Sequence, residues 1–181
     1  MKLHRLPVDG CYLFDLVGSE DRRGKFLKTF HQPSFTGTPL RAFVMEEEFI
    51  TTSNRNVFRG FHFQVPPAAH DKFVCCIHGA VTDYILDIRS GSPTYGKVFS
   101  VELTGCKPQL LFLPVGIAHA FLARRDDSAL LYKTNAAYSP DHDKGLSPVG
   151  LDLQLDVAPD EIVISDRDMA FPKLTDFESP F

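Results

Sequence analysis

The sequence lacks the features that mark membrane-spanning, secreted and nucleic-acid-binding proteins. No apolar run approaches the roughly 20 residues that cross a bilayer, and the first seven residues contain no apolar signal-peptide segment. The 19 Lys and Arg residues are scattered among 23 Asp and Glu residues, which gives a net charge of -4 and no basic patch. We therefore expect no binding to nucleic acid or to an anionic membrane surface.

Cysteine is also scarce, with four residues and no C-x-x-C spacing. Cys75 and Cys76 are adjacent in an apolar run and are expected to be small buried residues. Unpaired thiols of this kind indicate a reducing compartment, so we expect a cytoplasmic protein.

Long alanine- or leucine-rich stretches are few, which argues against long helices. Short runs rich in β-branched and aromatic residues recur between turn signals, at a spacing of roughly 8–12 residues. This pattern predicts an all-β fold of the jelly-roll or cupin type. We expect a single domain over 1–181 with a core barrel over about 41–138, and a short helix starting within 160–168 with Ser165 as its cap.

The aromatic stretch Phe58–Gln64 predicts a strand with a polar face. Side chains two residues apart share a face, so His62 lies with Gly60 while Arg59 lies opposite. Arg59 and His62 reach one cavity only if the strand is bulged, and Gly60 stands where a bulge costs least. An ordinary strand with His62 at the surface is the alternative at this point.

The runs 72–77 and 81–88 predict a β-hairpin joined by a tight turn. Lys72 would lie on one arm, with Asp83 and Asp87 on one face of the other. Burying such charges is costly unless they pair, so they are either solvated or part of a polar site. No role is assigned to four residues in and near these runs: Asp83, Asp87, His70 and His78.

Eight short motifs follow one another along most of the chain. They are Asp21-x-Arg23-Gly24, Arg59-Gly60-Phe61-His62-Phe63-Gln64-x-Pro66-Pro67, Lys72-Phe73-Val74, Ser92-Pro93-Thr94-Tyr95-Gly96, Pro114-x-Gly116-Ile117-Ala118-His119-x-Phe121, Tyr132-Lys133, Tyr138-x-Pro140 and Ile164-Ser165-Asp166-x-Asp168. Each motif alone is weak, but together and in this order the chain resembles the dTDP-4-dehydrorhamnose 3,5-epimerase family.

The resemblance implies a double-stranded β-helix, that is, a cupin-like jelly roll, with short helices at the termini. It implies a homodimer that needs no metal and no cofactor. The implied activity is that of an isomerase that inverts C3, C5 or both of a nucleotide-diphosphate-linked 4-keto-6-deoxy sugar. Such a reaction belongs to the biosynthesis of deoxysugars and cell-surface polysaccharides.

The resemblance also implies a role for individual residues. His62 corresponds to the base, Asp166 to the carboxylate that orients it, Tyr132 to the acid on the opposite side, and Lys72 to the group near the enolate oxygen. The implied substrate-binding residues are Arg23, Arg59, Lys28, Glu47, Phe49, Thr51, His119, Phe121 and Tyr138.

The chain departs from the family pattern at positions expected to contact the substrate. Glu47 and Phe49 stand where a Gln and an Asn are usual, and Lys28 stands where a Glu is usual. Ala120 replaces a glycine, and the segment 147–150 replaces a Trp-Asp-Asp-Pro sequence. We therefore expect a nucleotide or sugar other than the usual thymidine-linked 4-keto-6-deoxyglucose.

The residue types suit this chemistry independently of the resemblance. A 4-keto group acidifies the hydrogens on C3 and C5, so inversion needs a base, a proton donor on the opposite face and a group that stabilises the enolate. His62 suits the base because an imidazole exchanges protons near neutral pH. Lys72 would supply positive charge at the oxyanion, and the phenol of Tyr132 would donate a proton. Arg23 and Arg59 suit a diphosphate, which arginine binds bidentately.

Three other functions fit part of the pattern. A cupin isomerase that moves the ketone between C3 and C4 needs the same base but no opposite-face donor, so Tyr132 argues against it. A metal-dependent cupin oxygenase usually has a His-x-His ligand pair, whereas this chain has His62-Phe63-Gln64. A catalytically inactive sugar-binding protein is disfavoured because the set His62, Tyr132, Lys72 and Asp166 is intact.

Overall fold

The computed structural model describes residues 2–181 and consists mainly of β-strands. In chain order these are β1 (Lys2–Arg5), β2 (Tyr12–Asp15), β3 (Gly18–Asp21), β4 (Gly24–Leu27), β5 (Glu47–Ser53), β6 (Phe58–Gln64), β7 (Lys72–His78), β8 (Ala80–Asp87), β9 (Val98–Thr104), β10 (Gln109–Leu113), β11 (Ile117–Ala123), β12 (Ser128–Thr134) and β13 (Asp143–Gly145). The predicted all-β class is confirmed.

The helices are all short. Single 3₁₀ turns cover Gln32–Phe35, Pro39–Ala42, Pro159–Glu161 and Leu174–Asp176, and one α-helix, α1, covers Asp166–Met169. Ser165 caps α1 by accepting a hydrogen bond from the backbone N–H of Asp168, as the sequence predicted. None of the described helices is long and apolar enough to cross a membrane.

Two antiparallel sheets face one another across an apolar interior. The first sheet has the strand order β1-β2-β10-β7-β12-β5, and the second has the order β13-β6-β11-β8-β9. Strands β3 and β4 pair only with each other and form a separate ribbon. This arrangement is the predicted cupin-like jelly roll, and β1, β2 and β13 extend its sheets beyond the segment 41–138.

Strands β7 and β8 do not form the predicted hairpin. Strand β7 belongs to the first sheet and β8 to the second, so the chain changes sheets at Gly79. Gly79 has a φ of +72°, and a Cβ there would lie 2.5 Å from Oγ of Ser128. The prediction was wrong because alternation of side chains reveals two strands but not their partners.

Apolar side chains fill the space between the two sheets. Val74 and Leu130 of the first sheet pack there with Ile85 and Phe121 of the second. On the outer face of the first sheet, a second cluster forms around Phe73 and is covered by the segment that contains the first two 3₁₀ turns. Cys75 and Cys76 are buried free thiols, as predicted.

The C-terminal segment covers the outer face of the second sheet. Leu146, Leu153, Ile162 and Phe177 pack against the apolar residues of β6 and β11. This packing places α1 next to β6, the strand that contains His62. A residue far along the chain from β6 is thereby brought to its side.

Candidate active site

Strand β6 is bulged at Gly60, as the sequence predicted. In its pairing with β11, His119 lies opposite His62 and Phe121 lies opposite Arg59, so three residue steps on β6 match two on β11. Gly60 has a φ of +125°, and a Cβ there would lie 2.6 Å from the carbonyl oxygen of His119. The bulge places Arg59 and His62 on the same face of the strand.

His62 is paired with Asp168. Its Nε2 lies 2.9 Å from Oδ1 of Asp168, and the second carboxylate oxygen accepts the backbone N–H of Gly60 at 3.1 Å. Burial alone would raise the pKa of Asp168, but the hydrogen bonds from His62 and Gly60 outweigh it and hold the pKa below its usual value. The side chain of His62 is 33% exposed and lines a cavity.

The carboxylate that contacts His62 is Asp168 and not the predicted Asp166. Asp166 is the first residue of α1 and is exposed, whereas Asp168 is buried. Residues two apart on a helix point about 200° away from each other, so only one of the two carboxylates faces β6. The hydrogen bond from the Asp168 N–H to Oγ of Ser165 fixes the first turn of α1 so that Asp168 faces β6.

A second histidine–carboxylate pair lies deeper, on β11 and β8. His119 Nε2 is 2.7 Å from Oδ2 of Asp83, and both side chains are almost fully buried. Oδ1 of Asp83 has no hydrogen-bond partner among the described residues. Burial raises the pKa of Asp83. No role was assigned to Asp83 from the sequence. The alternation of side chains along β8, which places Asp83 on the inward face, could have indicated that it belongs to the site.

Lys72 and Tyr132 enter the same interior from the first sheet. Nζ of Lys72 donates a long hydrogen bond, 3.5 Å, to the backbone carbonyl of His62. Burial lowers the pKa of Lys72 to about 8. Tyr132 is 6% exposed, and burial raises the pKa of its phenol. Because His62 projects from the second sheet and Tyr132 from the first, the two side chains approach the interior from different sides.

A cavity of about 220 Å³ opens beside His62 and Lys72. His70 also lines it, and burial lowers the pKa of this histidine to about 4, so its imidazole is neutral near pH 7. At the mouth, the hydroxyl of Tyr138 donates to Asp143 at 3.3 Å, and Asp143 also accepts from Arg167. Neither His70 nor Asp143 was identified from the sequence.

The predicted substrate-binding residues of β5 lie next to this cavity. Glu47 lines it and accepts the backbone N–H of Tyr138 at 2.7 Å. Phe49 lines it as well, while the hydroxyl of Thr51 is buried without a hydrogen-bond partner among the described residues. Nε of Arg59 donates to Ser53 at 3.0 Å, so the guanidinium lies along β5. Phe121 packs beside His119 with ring centroids 6.4 Å apart.

Two predicted residues, Arg23 and Lys28, are not brought to the cavity within this chain. Arg23 follows the turn of the β3–β4 ribbon and forms an exposed ion pair with Asp21 at 2.7 Å. Lys28 is exposed just after β4 and lines a separate depression together with Phe26 and Phe30.

The chain is similar to known epimerases over nearly its whole length. The family model described as dTDP-4-dehydrorhamnose 3,5-epimerase matches residues 5–176. The dTDP-4-dehydrorhamnose 3,5-epimerase of Mycolicibacterium smegmatis is 34% identical over 179 residues, which cover 99% of this chain and 89% of the relative. The dTDP-4-dehydrorhamnose 3-epimerase of Streptomyces niveus is 33% identical, with 93% and 81% covered.

A solved structure agrees with these relatives. The crystal structure of NovW, a 4-keto-6-deoxy sugar epimerase from the novobiocin biosynthetic gene cluster of Streptomyces spheroides, superposes with a TM-score of 0.90 at 31% identity. The alignment covers 97% of this chain and 88% of that one. Family model, relatives and fold agree, and the chain belongs to the dTDP-4-dehydrorhamnose 3,5-epimerase family.

Proposed function

We propose that this protein epimerises C3, C5 or both of a nucleoside-diphosphate-linked 4-keto-6-deoxy sugar. The observation that carries the proposal is the arrangement of His62 and Tyr132, which enter one interior from opposite sheets, with Lys72 next to the backbone of His62. Inversion requires a base and an acid on opposite faces of the reacting carbon, and this arrangement supports His62 and Tyr132 in these two roles.

In the proposed mechanism His62 removes the hydrogen next to the ketone. Asp168 accepts the N–H at Nε2, so the opposite ring nitrogen is the one available as base. The ammonium of Lys72 stabilises the negative charge that develops on the ketone oxygen. Tyr132 then donates its phenolic proton to the other face of the carbanion and is reprotonated from solvent.

The number of inverted centres and the nucleotide belong to the same proposal. One relative is named as a 3,5-epimerase and another as a 3-epimerase, so the family includes both outcomes. Our expectation of a nucleotide or sugar other than the usual thymidine-linked 4-keto-6-deoxyglucose stays a prediction that rests on Lys28 and Glu47. Calorimetry with dTDP, GDP, CDP and UDP tests it, and tighter binding of dTDP than of the other three would contradict it.

We propose that the reaction needs no metal ion. Gln64 takes the place of the second histidine of a His-x-His pair, and its amide is held by the N–H of Ser139 at 2.6 Å and the carbonyl of Ala68 at 2.9 Å. Among residues 2–181 no three His, Cys, Asp or Glu side chains are placed to hold one ion. Metal analysis of active protein, with assays before and after a chelator, tests this point.

We propose that the protein is a homodimer, with the N-terminal strands pairing or exchanging across the interface. Two exposed apolar residues near Arg23 and Lys28 support this, since Val17 is 69% and Phe26 is 60% exposed. A second copy would cover these residues. A monomeric mass in light scattering at micromolar concentration would contradict the proposal.

A cytoplasmic location completes the proposal. The free thiols of Cys11, Cys75, Cys76 and Cys106 are consistent with a reducing compartment. Fractionation of cells that produce the protein at its natural level tests this placement.

The decisive experiment is incubation with a panel of nucleoside-diphosphate 4-keto-6-deoxy sugars in D₂O, followed by NMR. Deuterium at C3 or C5 together with the inverted sugar is the expected result. If no sugar of the panel exchanges a proton at either carbon, the proposed function is wrong. The same spectra report which nucleotide is accepted and which carbon inverts.

The variant Tyr132→Phe separates the two proton transfers. The enolate still forms, because His62 and Lys72 remain, and His62 returns a solvent-derived deuteron to the face from which the proton came. We expect deuterium at C3 or C5 with retained configuration and little epimer. Inversion at the native rate in Tyr132→Phe would contradict the assignment of the acid.

A further inference from the structure

The ring of Tyr132 lies against the ring of Phe49. Their centroids are 4.7 Å apart and their planes differ by 8°, so the rings are stacked face to face. The two residues are direct partners in the pairing of β12 with β5. Cross-strand partners on one face of a sheet are close enough for aromatic rings to fix each other's orientation.

Phe49 covers Tyr132 on the side where the first sheet ends. Strand β5 is the edge strand of this sheet, so no further strand of the described chain lies beyond Phe49. Phe49 is 41% exposed and Tyr132 only 6%, which shows that the outer ring meets solvent and the inner ring does not.

Tyr132 also contacts the ring of His119 in an edge-to-face arrangement. The centroids are 5.9 Å apart and the planes lie at 70°. Tyr132 is thus held between a buried histidine, whose own position is fixed by Asp83, and the exposed ring of Phe49. Of these two neighbours, Phe49 is the exposed one.

We propose that Phe49 is a positioning residue that holds the phenol of Tyr132 for proton donation and keeps water from its ring. This inference rests on the proposed function and deepens it. Phe49 was expected to contact the substrate, but one of its faces is already occupied by Tyr132. The main effect of Phe49 is on proton donation by Tyr132, the step after the enolate has formed.

At the enolate, two proton donors compete. Donation by Tyr132 gives the inverted sugar, whereas return from protonated His62 gives the original configuration with a solvent-derived hydrogen. A loosened Tyr132 slows the first step and leaves the second unchanged. Phe49 therefore sets the ratio of inversion to exchange with retention.

The experiment compares Phe49→Leu, Phe49→Tyr and the wild type in D₂O, with Ile50→Ala as the matched control. Ile50 is on the same edge strand, is 56% exposed and points to the other face of the sheet. For each protein, NMR measures deuterated sugar with retained configuration relative to deuterated epimer.

We expect Phe49→Leu to raise this ratio by roughly 2- to 13-fold, the factor that corresponds to the loss of one aromatic pair. Phe49→Tyr keeps the stacked ring and should show the wild-type ratio. Ile50→Ala should also show the wild-type ratio. A purely structural role would lower exchange and inversion together and would leave the ratio unmoved. An unmoved ratio in Phe49→Leu would overturn the inference.

A second readout needs no substrate and separates this inference from the proposed function. The chain contains five tyrosines and no tryptophan, so alkaline ultraviolet difference spectra report phenol ionisation directly. With Tyr132→Phe as the reference, Phe49→Leu should lower the pKa of Tyr132 towards the ordinary phenol value of about 10, since water then reaches the ring. An unchanged titration would overturn the inference even if no sugar of the panel reacts.

Discussion

The two histidine–carboxylate pairs of this protein have similar geometry and very different surroundings. His62 and Asp168 are 2.9 Å apart, and His119 and Asp83 are 2.7 Å apart. The side chain of His62 is 33% exposed, whereas that of His119 is 5% exposed. A short distance between a histidine and a carboxylate therefore does not by itself determine the chemistry of the pair.

The difference lies in how many donors each carboxylate receives. Asp168 accepts from His62 and from the backbone N–H of Gly60, and these bonds keep its pKa low despite burial. Asp83 has only His119 as partner, one of its oxygens is unpaired among the described residues, and burial raises its pKa. An ionised carboxylate that is well supplied with donors can stabilise a histidine that gains a proton.

The comparison suggests a division of tasks. The open pair, with an accessible histidine and an ionised carboxylate, is suited to take a proton from a substrate. The buried pair is suited to hold the ring of His119 in edge-to-face contact with the ring of Tyr132. If this division is correct, equivalent substitutions in the two pairs have unequal effects.

The largest expected difference is between His62→Ala and His119→Ala. Loss of the base should reduce both deuterium exchange and inversion by about 10²- to 10⁴-fold or more. His119→Ala leaves Asp83 buried without a donor, which should cost about 1–3 kcal/mol of stability. His119→Ala keeps the base, so its rate of deuterium exchange should be at least about 10-fold higher than that of His62→Ala.

Circular dichroism and thermal melts of both variants provide the control for this first prediction. His62→Ala should lower the melting temperature less than His119→Ala does, because Asp168 loses the hydrogen bond from His62 but keeps the one from the backbone N–H of Gly60. Normal exchange of deuterium by His62→Ala would remove the assignment of the base and with it the proposed division between the pairs.

The next effect concerns the carboxylate of the open pair. Asp168→Asn preserves the shape but removes the charge that supports His62, so exchange should fall by about 10²-fold. Asp166→Asn is the matched control, since Asp166 lies on the same turn of α1 and is exposed. We expect no change in that variant, and initial rates in D₂O measure both. Equal losses in the two variants would contradict the role given to Asp168.

The sequence predicted what depends on local pattern and missed what depends on distant contacts. The opposite parity of Arg59 and His62 indicated that a shared cavity requires a bulge, and the strand is bulged at Gly60. The resemblance pointed to His62 and Tyr132 through motifs on single strands, and both side chains enter the same interior. Asp168 was confused with Asp166 because both fit the motif, and only the direction of a helical turn separates them. The pairing of His119 with Asp83 spans 36 residues and two strands, and no motif recorded it.

A third prediction concerns Lys72, which lies between the two pairs. Burial lowers its pKa to about 8, against the opposing charges of Asp143 and Asp83. The ammonium is charged below this value and neutral above it, so kcat/KM for exchange should fall as the pH rises through about 8.

The variant Lys72→Arg tests the origin of this alkaline decrease. A guanidinium stays charged over the whole range, so the decrease should disappear, although the maximum rate falls because the new side chain fits less well. Lys144→Arg, at an exposed position on β13, is the control and should keep the wild-type profile. An alkaline limb that persists in Lys72→Arg would assign it to another group.

The smallest effect, and the most direct test of the comparison, is the pH dependence of stability. The pKa of Asp168 is lowered on folding from the ordinary value of 3.8, so its contribution to stability is present above that value and is lost as the pH falls through the folded pKa. The pKa of Asp83 is raised, so its contribution is present at low pH and is lost as the pH rises through the folded pKa. In urea unfolding from about pH 2 to about pH 6, the contributions of the two carboxylates to stability should change with pH in opposite directions. Relative to the wild type, Asp168→Asn should lose stability as the pH rises, by on the order of 1 kcal/mol, and Asp83→Asn should gain it. Slopes of the same sign would mean that the two carboxylates are in the same state, and that the difference between the pairs must be sought in the exposure of their histidines alone.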